Sequence, residues 1–264
     1  MAITSLDQLI AAVTQRPTYL KTASRTTVAG FPFSLFDLAG NPGAGTLAIG
    51  NTANGVVPTD TVAGYPVLNA FPASTTGYLS GVQFSSSVAC RFTVYDCVFS
   101  CGAYAFNADT TLASQPSYAA RIPDGSYLNT EIWIEAVTAF TGTPSFQVFY
   151  TNQDGVTGRN TSAVAAFSGM AVGRMFYMPL QSGDTGIQKI ERVAGTVATA
   201  GTFNVHVMRR LWNGRVKINN DGDAHDFLKT GLPVIYDTSA LRTVVYTDGT
   251  TSGVPEIQFE VAAG

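Results

Sequence analysis

The sequence predicts an all-β protein: an antiparallel β-sandwich or jelly-roll-like domain with a short N-terminal helix and an extended N-terminal arm. Three observations predict it. From residue 78 onward the chain is a series of short runs rich in Val, Ile, Tyr, Phe and Thr, the residues that suit a pleated surface. Several runs alternate apolar and polar residues, as strands with one wet face do. Gly, Asp, Asn and Pro clusters separate them, and no strand–helix–strand rhythm appears.

In chain order, residues 4–15 carry the one clear helix signal. Thr4 or Ser5 can cap it, Asp7 falls in its first turn, and Pro17 limits its continuation. Leu6, Leu9, Ile10 and Val13 share one face, so a helix this short needs a surface to pack on.

Residues 17–77 read differently. Pro32, Pro42, Pro58, Pro66 and Pro72 break every long element, yet the stretch is too apolar for a solvated linker. Phe31, Phe33, Leu35, Phe36, Leu38 and Tyr65 need cover. The expectation is an arm lying across its own domain or a neighbouring subunit, with these six residues as its contacts. Residues 1–77 therefore form helix and arm, and residues 78–264 the β domain, with a division into two subdomains near 195–200 left open.

The strand candidates in the β domain include 78–84, 91–99, 130–140, 145–151, 174–180, 186–193, 202–210, 215–218, 232–237, 242–247 and 256–261. In 202–210, Phe203, Val205, Val207 and Arg209 share one face, with Asn204, His206, Met208 and Arg210 on the other. In 256–261, Ile257, Phe259 and Val261 oppose Glu256, Gln258 and Glu260. Turns are expected at Pro123–Asp124–Gly125, Gln153–Asp154–Gly155, Ser182–Gly183–Asp184, Asn213–Gly214 and Asp248–Gly249.

Composition narrows function. Hydrophobic residues make up 45% and charged residues 12%, about half the usual charged share of roughly 25%. A surface so poor in charge is weakly protected against association, which fits a subunit whose faces are largely covered or a secreted protein, the first being preferred. Net charge is -3 and no Lys/Arg run exists, so nucleic acid is not an expected partner. No window approaches the roughly 20 apolar residues of a membrane-spanning helix, and residues 1–16 lack the pattern of a secretory leader.

No set of residues reads as catalytic, and no cofactor is expected. Of the two histidines, His206 sits inside a strand candidate beside no nucleophile elbow. Asp221, Asp223, His225 and Asp226 are weak metal candidates, because clustered oxygen ligands suit calcium, but the spacing is not an EF-hand and a turn explains the same residues. Cys90, Cys97 and Cys101 are spaced unlike zinc ligands and read as buried thiols. Glu131 and Glu135 flank Trp133, but four residues along a strand separate them by roughly 13 Å, beyond the span of about 5–9.5 Å used by a glycosidase pair.

Four stretches, Ala44–Thr52, Leu79–Phe84, Tyr95–Phe99 and Gly186–Glu191, resemble uncharacterised virion structural proteins of tailed bacteriophages. The resemblance spans most of the chain and carries no catalytic residues. It implies a particle component assembled in the host cytoplasm, foremost a capsid decoration or cement protein on the head shell, with the major capsid protein or other virion proteins as partners and a homo-oligomer, trimeric in the first instance, as its form. A tail, collar or fibre component is the alternative within the particle. A carbohydrate-binding β-sandwich stacking sugars on Trp133, Trp212 or exposed tyrosines is the alternative outside it.

Overall fold

The computed structural model describes residues 3–143, 145–162, 164–165, 170–195, 201–247, 249–250 and 252–264. It is an all-β, antiparallel, sandwich-like fold. The chain divides into two compact units, one of Met1–Gly45, Thr59–Asp96 and Leu211–Gly264, the other of Thr46–Pro58 and Cys97–Arg210. The long strands Cys90–Ala105 and Thr202–Val216 each begin in one unit and end in the other.

In the first unit, one sheet runs in the order Asp221–His225, Gly77–Ser86, Pro255–Ala263, Thr18–Lys21, Gly40–Asn41. Facing it, Leu241–Tyr246 pairs with residues 91–96 on one side and with Phe33–Ser34 on the other. The expected alternation at 256–261 sets the inner face: Ile257, Phe259 and Val261 are buried, and Glu256, Gln258 and Glu260 are not. The two sheets meet ring to ring, with Phe84 at 5.5 Å from Phe92 and 4.9 Å from Trp212. The Tyr19 hydroxyl also donates across to the Leu241 carbonyl at 2.7 Å.

The second unit holds its own core. Met175–Met178, Thr130–Thr138 and residues 202–209 form one sheet. Ser145–Asn152, Ile187–Gly195 and Asp109–Thr111 form the spine of another. Phe106, Phe140, Phe146 and Phe203 pack together, with Phe106 at 4.6 Å from Phe140 and 4.7 Å from Phe203. Gly195 permits this: a Cβ there would lie 1.8 Å from the Phe106 carbonyl oxygen.

The helix spans Leu6–Ala12, with Ser5 as its cap. It is shorter than expected because Val13 leaves helical geometry and joins a strand against Ala262. Residues 17–77 contain only short strands, as the prolines dictate, and they are built into both units. Strand 202–210 differs from the one-wet-face expectation: Asn204, His206 and Met208 are as buried as Phe203, Val205 and Val207. Asn213–Gly214 is not a turn but part of the Thr202–Val216 strand, where the glycine makes room for the Trp212 ring. The Gly125, Gly155 and Gly183 turns form as expected, each glycine at positive φ. Asp248 of the Asp248–Gly249 turn and residues 196–200 of the possible subdomain boundary lie outside the described residues.

Candidate functional site

The arrangement closest to chemistry is a buried polar network in the second unit. Strand register places His206 opposite Trp133 and Asn204 opposite Glu135, so the Glu135 carboxylate reaches diagonally to His206. His206 Nε2 lies 3.1 Å from Glu135 Oε2, and His206 Nδ1 lies 2.8 Å from Ser100 Oγ. Cys97 Sγ stands 3.3 Å from the same hydroxyl and 4.0 Å from the imidazole. Hydroxyl, imidazole and carboxylate thus stand in the order of a hydrolytic triad. Their exposure decides what they do: Ser100 is 2% exposed, His206 1%, Glu135 and Cys97 0%. A nucleophile needs room for an acyl group beside it, and this hydroxyl is enclosed. The network satisfies polar groups inside a sheet buried on both faces.

Sequence reasoning left His206 as a strand residue and did not join it to Glu135, 71 positions away. Glu131 and Glu135 serve separate partners. Glu131 accepts from the Trp133 indole at 2.9 Å and pairs with Arg210.

Three of the four metal candidates have other partners, and Asp221 is an exposed strand residue. Asp226 caps the short Phe227–Thr230 helix, accepting from the Leu228 and Lys229 amides. His225 Nδ1 accepts from the Trp212 indole at 3.0 Å, and its Nε2 lies 3.4 Å from Asp223 Oδ2. A hydrogen bond from the Ala224 amide, with lesser help from Lys229 and His225, holds the Asp223 carboxyl below its usual range. Among the described residues, no group of three or more His, Cys, Asp or Glu side chains is placed to hold a metal ion.

None of the three cysteines forms a disulfide, and all are buried. Burial pushes Cys90 up to about 11, against a hydrogen bond with Ser86, and Cys101 up to about 12, against one with Tyr104. Thiols so far from ionising are poor nucleophiles.

Of the six arm residues, Phe33, Leu35, Phe36, Leu38 and Tyr65 are buried within the first unit, and Phe31 is half-buried. The guanidinium of buried Arg242 lies 4.6 Å from the Phe36 ring and 6.0 Å from the Tyr65 ring, and the two rings pack on each other at 4.7 Å. Of the two surfaces considered for this segment, its own unit covers these rings. Trp133 and Trp212 are 1% and 4% exposed, so neither offers a platform for stacking a sugar.

The surface is more informative. A shallow hollow of about 530 Å³ lies over the outer face of the first unit's large sheet, lined by Thr18, Leu20, Gln83, Ser85, Glu256 and Gln258 among others. The N-terminal helix buries only Leu9, leaving Leu6 and Ile10 55% and 63% exposed. Val67, Ile218 and Leu228 are 64%, 65% and 78% exposed. No helix among the described residues is long and apolar enough to cross a membrane.

No family model and no curated protein matches the chain. Solved structures that it resembles include several from infectious bursal disease virus. The Gx strain structure shares 10% identity over 94% of this chain and 79% of that one, with a TM-score of 0.20. The VP2 subviral particle shares 10% over 96% and 82%, also at 0.20. The virus-derived T=1 particles share 9% over 94% and 77%, at 0.17. Likeness at this level adds nothing to the functional argument.

Proposed function

We propose that this chain is a structural component of a tailed-phage virion, a decoration or cement protein that binds the head shell and stabilises it. The observation that carries this reading is the pairing of two closed apolar cores with large apolar side chains left on the surface. Leu6, Ile10, Val67, Ile218 and Leu228 are each more than half exposed on a chain of low charge. Much of each side chain is left uncovered by its own chain, and burying it against a neighbour contributes about 25 cal/mol per Å² of apolar area before ordering costs. Cementing a shell calls for many shallow contacts of this kind and for no catalytic centre. The enclosed Ser100–His206–Glu135 network fits a protein that works by binding rather than by catalysis.

The test is add-back to purified particles lacking the chain. The protein is expected to coat the head in electron micrographs and to raise the temperature at which the shell opens. Density confined to tail, collar or fibres reassigns it within the particle. Absence of binding to any part of the particle removes the reading.

A further inference from the structure

The first unit's large sheet ends at Asp221–His225, which pairs on one side with Gly77–Ser86 and, among the described residues, with no strand on the other. Asp221 through Ala224 are exposed and His225 is half-buried. An open edge presents unpaired backbone groups and is a template for another strand. Its ends are marked by the two most exposed large apolar residues among the described residues of the first unit, Ile218 at 65% and Leu228 at 78%.

These positions are symmetric about Asp223. Ile218 precedes it by five residues and Leu228 follows it by five. An antiparallel pairing of this strand with a second copy, centred on Asp223, sets Asp221 opposite the second copy's His225 and Gly222 opposite its Ala224. It carries each Ile218 toward the other copy's Leu228. A twofold contact requires that if residue i meets j, then j meets i, and this segment meets that requirement in both charge and apolarity. Acid faces imidazole twice and small faces small twice, and the exposed Ile218, in the bend before the strand, and Leu228, in the helix after it, flank the paired segment at each end. The cost is at the centre, where the two Asp223 carboxylates face each other. Each keeps its own His225 3.4 Å away, which offsets part of that repulsion.

We infer that the Asp221–His225 edge is a twofold interface that joins two copies of this chain into a dimer through a continuous sheet. This differs from the threefold form expected from the sequence, and it does not rest on the particle reading: a chain that binds no particle can still dimerise here.

The experiment uses the full chain. Its mass in solution is measured by light scattering across a concentration series, and a species of twice 27.8 kDa is expected. The Ile218→Glu/Leu228→Glu double variant is expected to remain folded by circular dichroism, since both side chains are exposed, and to run as a monomer. Asp223→Cys places two thiols at the twofold, where facing strand residues fall within disulfide reach. Diamide, which takes up the two electrons and two protons released, is expected to yield a cross-linked dimer. Gln83→Cys on the outer sheet face is expected to give none. A wild-type chain that is monomeric at every concentration overturns the inference. So does a dimer that survives the double variant, or one that cross-links through position 83 and not 223.

Discussion

Asp184 closes the Ser182–Gly183–Asp184 turn with a side chain 2% exposed. Its carboxylate accepts from Tyr150 Oη at 2.7 Å, Asn152 Nδ2 at 2.8 Å, Arg159 Nε at 2.9 Å and Arg159 Nη2 at 3.0 Å. One carboxylate thus ties the Ser145–Asn152 strand, residue 159 and the turn together. Truncation to alanine removes four charge-assisted hydrogen bonds, each worth about 1.5–3 kcal/mol net in isolation. They are not additive: the Arg159 side chain is a quarter exposed and regains water, and Tyr150 Oη still accepts from the Gln181 amide. The loss expected for Asp184→Ala is about 3–4 kcal/mol at neutral pH, in line with breaking a buried pair from one side. For a chain of this size that lowers Tm by roughly 6–16 °C. Asp184→Asn keeps an acceptor and loses less. Burial alone would raise the Asp184 pKa, and the hydrogen bonds from Arg159, Asn152 and Tyr150 outweigh it and hold the carboxyl below its usual range. A carboxyl with a depressed folded pKa stabilises fully above its unfolded value of about 3.9, and that stability is lost as pH falls through the folded value. The assay is urea unfolding followed by Trp133 fluorescence in a Trp212→Phe background, since Trp133 lies in the same unit as Asp184. A gap between wild type and Asp184→Ala below about 1 kcal/mol, or a gap as wide in strong acid as at neutral pH, would falsify this account of the network.

Two further perturbations test the interior. His206→Leu withdraws the imidazole from Ser100 and Glu135 and is expected to cost about 3 kcal/mol, seen as a lower urea midpoint at an unchanged slope; a midpoint equal to wild type refutes a structural role for the network. Lys21 is 1% exposed and donates to the Leu38 and Pro42 carbonyls at 3.0 and 2.6 Å. Burial lowers its pKa to about 8, against a smaller upward pull from Asp37. A base whose folded pKa lies below its unfolded value of about 10.4 carries its full charge penalty below the folded value, so stability rises between the two. Wild type is expected to gain roughly 3 kcal/mol over that window relative to Lys21→Met, and parallel pH profiles of guanidinium unfolding for the two proteins refute it.

What could be read from the sequence was local. Ser5 as a cap and the alternation of Ile257, Phe259 and Val261 are set by neighbours a few positions away, and both were legible. The exposure of Leu6 and Ile10 was not, because periodicity states that a face is apolar and not that anything covers it. Asn213–Gly214 carries turn chemistry, but Gly214 is there for the Trp212 ring, a packing reason that mimics a turn signal. The Glu135–His206 contact depends on the register between two strands 71 positions apart, and register is fixed by whole-sheet packing. The arm illustrates the same limit. Its rings demanded cover, and the sequence alone did not say whether that cover was the chain itself or another molecule.

Cys90, Cys97 and Cys101 all lie on one strand, the first in one unit and the other two in the second. No other thiol exists in the chain. Because each is sealed from solvent in the folded state, the rate at which it reacts with a thiol reagent counts the moments when its surroundings open. The protein therefore carries its own clocks for local unfolding, one in the first unit and two in the second, readable by mass spectrometry with no cysteine introduced.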